Sequence, residues 1–255
     1  MTGIVNSENL SNFAYSNDHL ISGSPRGIVL AFSGLGDQSR YDSDPEQGRF
    51  YASRSLLFVI PYTNPWAWMN RQTLRFTDEI VSVLNARYGR DLPVASTGGS
   101  MGGLSAIVYT AYSEHSPIVC VANCPVCDLP YHYSERPDLP RTLYSAFGTE
   151  EGTISEVLAR FSPLHLVDKL PRIPYHLFHC AEDRAVLLSA HSAPFTKAMQ
   201  QAGHEITLEI VPDRGHCDLT PDACTLQSIH SRQLCREMTF PSQSQKRDRF
   251  SEKET

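Results

Sequence analysis

Short apolar runs alternate along this chain with stretches in which apolar residues recur at helical spacing. The runs 27–32, 55–60, 93–97, 117–122, 174–179 and 205–211 are almost continuously apolar. That is the pattern of strands buried on both faces of a parallel sheet. Between them, 71–88 carries Leu74, Ile80, Val81, Val83 and Leu84 on one helical face, and 101–112 carries Leu104, Ile107 and Val108. Residues 185–202 and 221–236 are two further predicted helices. Strands and helices in alternation predict an α/β fold, a mostly parallel sheet flanked by helices.

Two segments interrupt the alternation. Residues 129–162 hold three prolines, several aromatics and no clear strand, which predicts a small lid or substrate-facing insert over the sheet. Residues 241–255 hold seven charged residues and one aromatic, too little apolar surface to order themselves, so a disordered tail is expected after a single domain over 1–240. A chain of 255 residues with 41% hydrophobic and 20% charged residues excludes the fibrous, coiled-coil and wholly disordered classes. The net charge is −6, and the 22 basic residues are scattered, which argues against a nucleic-acid or anionic-membrane surface. No run approaches the length of a membrane span and the first residues lack a leader's pattern. With seven cysteines at irregular spacing, reduced thiols in a cytoplasm are the simplest expectation.

The chemistry concentrates at 93–104, PVASTGGSMGGL. A serine on a sharp strand-to-helix turn needs small residues two places before and after it, and Gly98 and Gly102 stand there. The turn sets Ser100 at a helix start, where free N–H groups stabilise a developing oxyanion. A serine hydroxyl needs a base to take its proton, and the base needs a carboxylate to orient it. In the chain order Ser, acid, His, the loop after 174–179 delivers Glu182 and Asp183, and the loop after 205–211 delivers His216. Asp183 is taken as the acid, with Glu182 beside it as the alternative, and His216 as the base. The Met101 N–H is one expected oxyanion donor. The Leu35 N–H is the other, in the turn Ser33-Gly34-Leu35-Gly36-Asp37 after the first strand. This chemistry calls for neither metal nor cofactor.

Other residues carry weaker signals. Trp66 and Trp68, with Tyr131 and Tyr133 of the insert, are candidates for the walls of a substrate pocket, or else pins that hold loops to the core. Cys124 and Cys127 form a C-x-x-C without a second ligand pair, so they read as two thiols at a strand end. His176 and His179 point to opposite faces of one strand and do not chelate together. Of His19, His115, His132, His165, His191 and His230, most are expected at the surface.

The stretches Phe32 to Asp37, Thr97 to Gly103, Ser162 to Val186 and Pro212 to Leu219 together resemble the α/β-hydrolase superfamily. They are most similar to its prolyl-oligopeptidase and dienelactone-hydrolase-like branch. The resemblance implies a Ser-Asp-His enzyme, since His179, Asp183 and Val186 fall where that branch places its acid loop. This chain has Ser33-Gly34 and His179-Cys180 where the branch often has His-Gly, and a Ser where dienelactone hydrolases have Cys. The chain is too short for the propeller that peptidases of the branch usually carry. The expected activity is therefore cleavage of a small carboxylic ester or amide through an acyl-enzyme. The alternatives are a stand-alone peptidase acting on short peptides and, from a different class, a catalytically idle binding module.

Overall fold

A computed structural model describes residues 4–232 of the chain, so the expected tail at 241–255 lies outside the described residues. Strands β1 (Ala14–Ser16), β2 (Gly27–Phe32), β3 (Leu56–Pro61), β4 (Val94–Gly99), β5 (Val119–Asn123), β6 (Tyr175–Cys180) and β7 (Ile206–Val211) form one sheet in the order β1-β3-β2-β4-β5-β6-β7. Every pairing is parallel except that of β1 with β3. The six expected strands fall within two residues of their apolar runs at each end. The short β1 was not legible, because three residues offer no period to read.

Helices α1 (Glu46–Ala52), α2 (Arg71–Tyr88), α3 (Met101–Tyr112), α4 (Leu129–Glu135), α5 (Leu139–Phe147), α6 (Ile154–Arg160), α7 (Ser192–Gln201) and α8 (Pro221–Arg232) complete the described fold. The ends of α2 follow from local chemistry. The Asn70 side chain accepts from Thr73 N–H at its start, and Gly89 takes a left-handed conformation at its end. The helix expected from 185 begins only at Ser192. The Ala185 and Val186 N–H groups are instead held by the Asp183 carboxylate, which keeps that segment in turns.

The larger core lies on the sheet face covered by α2, α3 and α7, and a smaller one lies on the face of α1 and α8. Residues 129–162, expected as an insert, form α4, α5 and α6 between β5 and β6. Their Leu129, Leu139, Leu143, Phe147, Val157 and Leu158 join the larger core. Along the sheet, β3 lies on one side of β2 and β4 on the other, so strand order reverses there. Ligands of open α/β sheets bind beyond the carboxyl ends of the strands at such a reversal. The turn after β2 and the turn after β4 both end at that point.

Candidate active site

Ser100 sits between the last residue of β4 and the first of α3 with φ 59° and ψ −123°. A non-glycine residue in that region costs about 1–3 kcal/mol and persists only where its surroundings hold it. Here the Ser100 N–H donates to Asn123 O at 2.9 Å, and its carbonyl accepts from Leu104 N–H at 3.1 Å. The flanking glycines are required by contact. A Cβ on Gly98 would lie 2.4 Å from Gly102 O, and one on Gly102 would lie 2.1 Å from Phe32 O. The elbow and the turn after β2 are therefore packed backbone against backbone. The Ser100 hydroxyl makes no hydrogen bond among the described residues, and neither the Met101 nor the Leu35 N–H has a partner among them. Gly36, with φ 81°, turns the chain just after Leu35, and its N–H donates to Pro65 O at 2.9 Å.

Asp183 lies in the loop after β6 and is buried. Its Oδ1 accepts from the Ala185 and Val186 N–H groups, each at 2.9 Å, and its Oδ2 accepts from His216 Nδ1 at 2.7 Å. Burial pushes the carboxyl upward, but the bonds from His216 and from the two backbone donors outweigh it and hold Asp183 below the ordinary aspartate value. Glu182 is exposed. Its backbone N–H is bonded to Arg214 O, and its side chain does not reach His216. The bond to Asp183 raises His216 above an ordinary histidine, against the opposing effects of burial and of the Arg136 charge from the insert. Ionised Asp183 fixes the proton on Nδ1 and leaves the lone pair on Nε2, in a side chain 31% exposed.

The loop carrying His216 rests on the elbow. Asn123 Nδ2 donates to Cys217 O at 3.3 Å, and Cys217 Sγ lies 3.2 Å from where a Gly99 Cβ would stand. No hydrogen bond joins Ser100 Oγ to His216. Cys217 Sγ lies 3.8 Å from Nε2. Catalytic hydrogen bonds of free enzymes are often long and tighten once substrate is bound.

The four aromatic candidates do not form one wall. Trp68 is buried, with its Nε1 donating to Thr142 Oγ1 at 3.1 Å, so it pins the 61–70 loop to the insert. Trp66 is 37% exposed and lines a cavity of about 330 Å³ with Phe13, Tyr62, Asn70 and Phe76, which neither tyrosine of the insert reaches. Tyr131 is exposed against the ring of His191, and Tyr133 packs on the larger core. A second cavity of about 430 Å³ lies beside the elbow, lined by Ser33, Gly34, Tyr41, Phe58, Gly99 and Asn123 among others. Sequence reading missed it because Tyr41 and Phe58 come from a loop and a strand with no shared motif.

His132 and His191 are buried, not at the surface. His191 Nε2 lies 3.0 Å from Glu135 Oε2, and His132 Nδ1 bonds the same oxygen. The only signal was the spacing of His132 and Glu135 by three residues, which puts both on one face of α4. Among the described residues, six cysteines are free thiols, and no helix is long and apolar enough to cross a membrane.

The profile of the prolyl oligopeptidase family matches residues 80–232, which include the elbow, the acid loop and the His216 loop. No curated protein matches the chain by sequence. Among solved structures, Pyrococcus horikoshii acylaminoacyl peptidase is similar at 16% identity and a TM-score of 0.61, over 76% of this chain and 34% of that one. Porphyromonas gingivalis dipeptidyl peptidase 4 is similar at 15% identity and 0.64, over 83% and 31%. The chain thus spans about a third of the length of these two peptidases. Thermogutta terrifontis esterase 2 is similar at 18% identity and 0.62, with 88% of each chain covered. At such identities the likeness is one of fold, the α/β-hydrolase fold.

Proposed function

This chain belongs to the prolyl oligopeptidase family, which makes it a serine hydrolase, and from that premise we propose that it cleaves a carboxylic ester, or a small amide, through an acyl-enzyme on Ser100. Ser100 Oγ attacks the carbonyl carbon as His216 Nε2 takes its proton. Asp183 holds the imidazole in the required tautomer and stabilises the imidazolium that forms. The negative charge gathering on the carbonyl oxygen is met by the Leu35 and Met101 N–H groups, each such donor contributing about 3–4 kcal/mol in the transition state. His216 then gives its proton to the leaving group. Water, deprotonated by the same nitrogen, attacks the acyl carbon and releases the acid.

The observation that carries this reading is the 2.7 Å bond from His216 Nδ1 to Asp183, which leaves the Nε2 lone pair on a loop seated against a strained serine elbow. The cavity beside Gly99 and Ser33 is suited to a short acyl group, and its size lies within the ordinary range of small-molecule pockets. The insert, whose Arg136 charge reaches His216, is assigned to the leaving-group side. A fluorophosphonate probe is expected to label the wild type and not Ser100→Ala; equal labelling of both sinks the assignment.

The family match favours a second reading, peptidase action on short peptides. Rates on p-nitrophenyl acyl esters are compared with those on dipeptidyl and prolyl anilides. Faster acyl transfer from the anilides selects the peptidase.

A further inference from the structure

Three groups among the described residues bring three ligand atoms within 4.8 Å of one another: His132, Glu135 and His191; Cys124, His179 and Asp183; and Cys124, His216 and Cys217. Proton positions separate them. His191 Nδ1 accepts from the Cys127 and Asp128 N–H groups, both at 3.2 Å, so its proton is on Nε2 and is given to Glu135. His179 gives its Nε2 proton to Val186 O at 2.9 Å, and its Nδ1 accepts from the Ser192 hydroxyl at 2.8 Å. Neither ring has a lone pair left for a cation. His216 differs, because its proton goes to Asp183 and its Nε2 lone pair points where Cys217 Sγ lies, 3.8 Å away.

We propose that Cys124, Cys217 and His216 Nε2 bind a thiophilic divalent cation, Zn²⁺, and that its binding blocks the base. With bonds of about 2.3 Å to sulfur and about 2.0 Å to nitrogen, a tetrahedral zinc sets those two atoms about 3.6 Å apart. Cys217 and His216 already stand near that separation, and Cys124 Sγ lies within 4.8 Å of Cys217 Sγ and of the His216 ring. The rest of the surroundings suit the ion. A zinc-bound histidine commonly donates its other N–H to a carboxylate, which orients the ring, and Asp183 occupies that place. The Cys180 N–H donates to Cys124 Sγ at 3.3 Å and offsets part of the upward push that the Cys217 bond and burial give this thiol, so the ion itself must displace its proton. Cys217 and His216 are both partly exposed and give the ion an entry path, with its fourth position left to water.

On binding, two Zn–S bonds and one Zn–N bond form, and the two thiol protons leave to solvent. The Nε2 lone pair is then engaged and cannot take the proton of Ser100. The inhibition rests on the function proposed above, whereas the site does not.

Cobalt(II), a spectroscopic stand-in for zinc, tests the site on the full chain. One equivalent is expected to give a thiolate-to-cobalt charge-transfer band with tetrahedral visible bands, in the wild type and in Ser100→Ala alike. Cys217→Ala, in which only a partly exposed thiol is lost, should weaken cobalt binding by more than about tenfold, and Asp183→Asn by about 10–100-fold through loss of the ring's anchor. A wild type without the band, or a band that survives in Cys217→Ala and in Cys124→Ser, overturns the site. Zinc should also suppress ester hydrolysis reversibly with chelator, and Cys217→Ala should keep the basal rate while escaping zinc. Cobalt bound through these thiols with hydrolysis untouched by zinc overturns the inhibition and leaves the site. If no ester or anilide is turned over even without metal, the proposed function falls, and the cobalt spectra still decide the site.

Discussion

Two of the histidine–carboxylate pairs among the described residues, His216 with Asp183 and His191 with Glu135, differ in the surroundings of the ring. In one, His216 gives Nδ1–H to Asp183 and keeps Nε2 unprotonated at a partly exposed face. In the other, His191 gives Nε2–H to Glu135, and its Nδ1 is filled by two backbone donors in the interior. The first ring is raised above the ordinary histidine value, chiefly by the carboxylate. The second is lowered, because burial outweighs the same kind of bond. A carboxylate beside an imidazole thus does not define a catalytic pair. What separates the two is the fate of the second ring nitrogen and the ring's access to solvent. Under the proposed function the first pair exchanges a proton; the second ties α4 to the turn before α7.

The largest expected effect breaks the first pair. Asp183→Asn should lose about 10⁴ in kcat by analogy with other triads, because the amide no longer fixes the Nδ1 proton. The chain should remain folded, as judged by cooperative thermal unfolding. Loss of rate below about tenfold removes Asp183 from the triad role.

Breaking the second pair should move stability and spare the chemistry. Glu135→Ala leaves the His191 Nε2–H and the His132 Nδ1–H without a buried acceptor, at about 1–3 kcal/mol each. Differential scanning calorimetry should register a fall of roughly 2–4 °C in Tm for each kcal/mol, with kcat on an activated ester within about threefold. The pH dependence has a definite sign. Glu135 is held below the ordinary glutamate value, since its bonds to His132 and His191 outweigh its burial. Its contribution is therefore present above the unfolded glutamate pKa and is lost as pH falls through the folded one, so wild type and Glu135→Ala should converge in acid. A large loss of kcat with unchanged Tm would erase the distinction between the pairs.

The difference was only half legible in the sequence. The loops that carry Ser100, Asp183 and His216 could be read because each follows an apolar run, and loops at strand ends lie on one edge of the sheet. The glycines at 98 and 102 could be read because the turn leaves no space for a Cβ. The second pair could not. His132 and Glu135 sit on a short helix within a proline-broken segment, and His191 comes from a stretch of turns that begins with the bonds of Ala185 and Val186 to Asp183 Oδ1. Trp68 was ambiguous for the same reason, since burial against Thr142 depends on packing between two segments with no sequence period in common.

A smaller effect sharpens the account of the first pair. As the proposed base, His216 must be neutral to accept a proton, so kcat/KM should fall as pH drops through its pKa. Because Asp183 raises that value, the acid limb of the wild-type profile should lie above the ordinary histidine value of 6.5. In Asp183→Asn the residual activity should show a limb displaced to lower pH. A limb that stays in place assigns the raised value to some other group. The stability linked to His216 runs the opposite way from that of Glu135. It is fully present below the unfolded histidine pKa and is lost as pH rises through the folded one.

The smallest expected effect concerns the neighbour of the acid. Glu182 is one residue from Asp183, carries the same charge and lies in the same loop, so charge alone would let it serve. Geometry separates them. The Asp183 carboxylate is anchored by two backbone N–H groups before it meets His216, whereas Glu182 faces solvent and is tied only through its backbone to Arg214 O. An exposed charge is screened by water and contributes on the order of 1 kcal/mol or less to a nearby pair. Glu182→Gln should therefore leave kcat/KM within about threefold and shift the acid limb slightly, if at all. A loss near that of Asp183→Asn would transfer the orienting role to Glu182. It would also mean that the 2.7 Å bond between Asp183 and His216 is broken in the working enzyme.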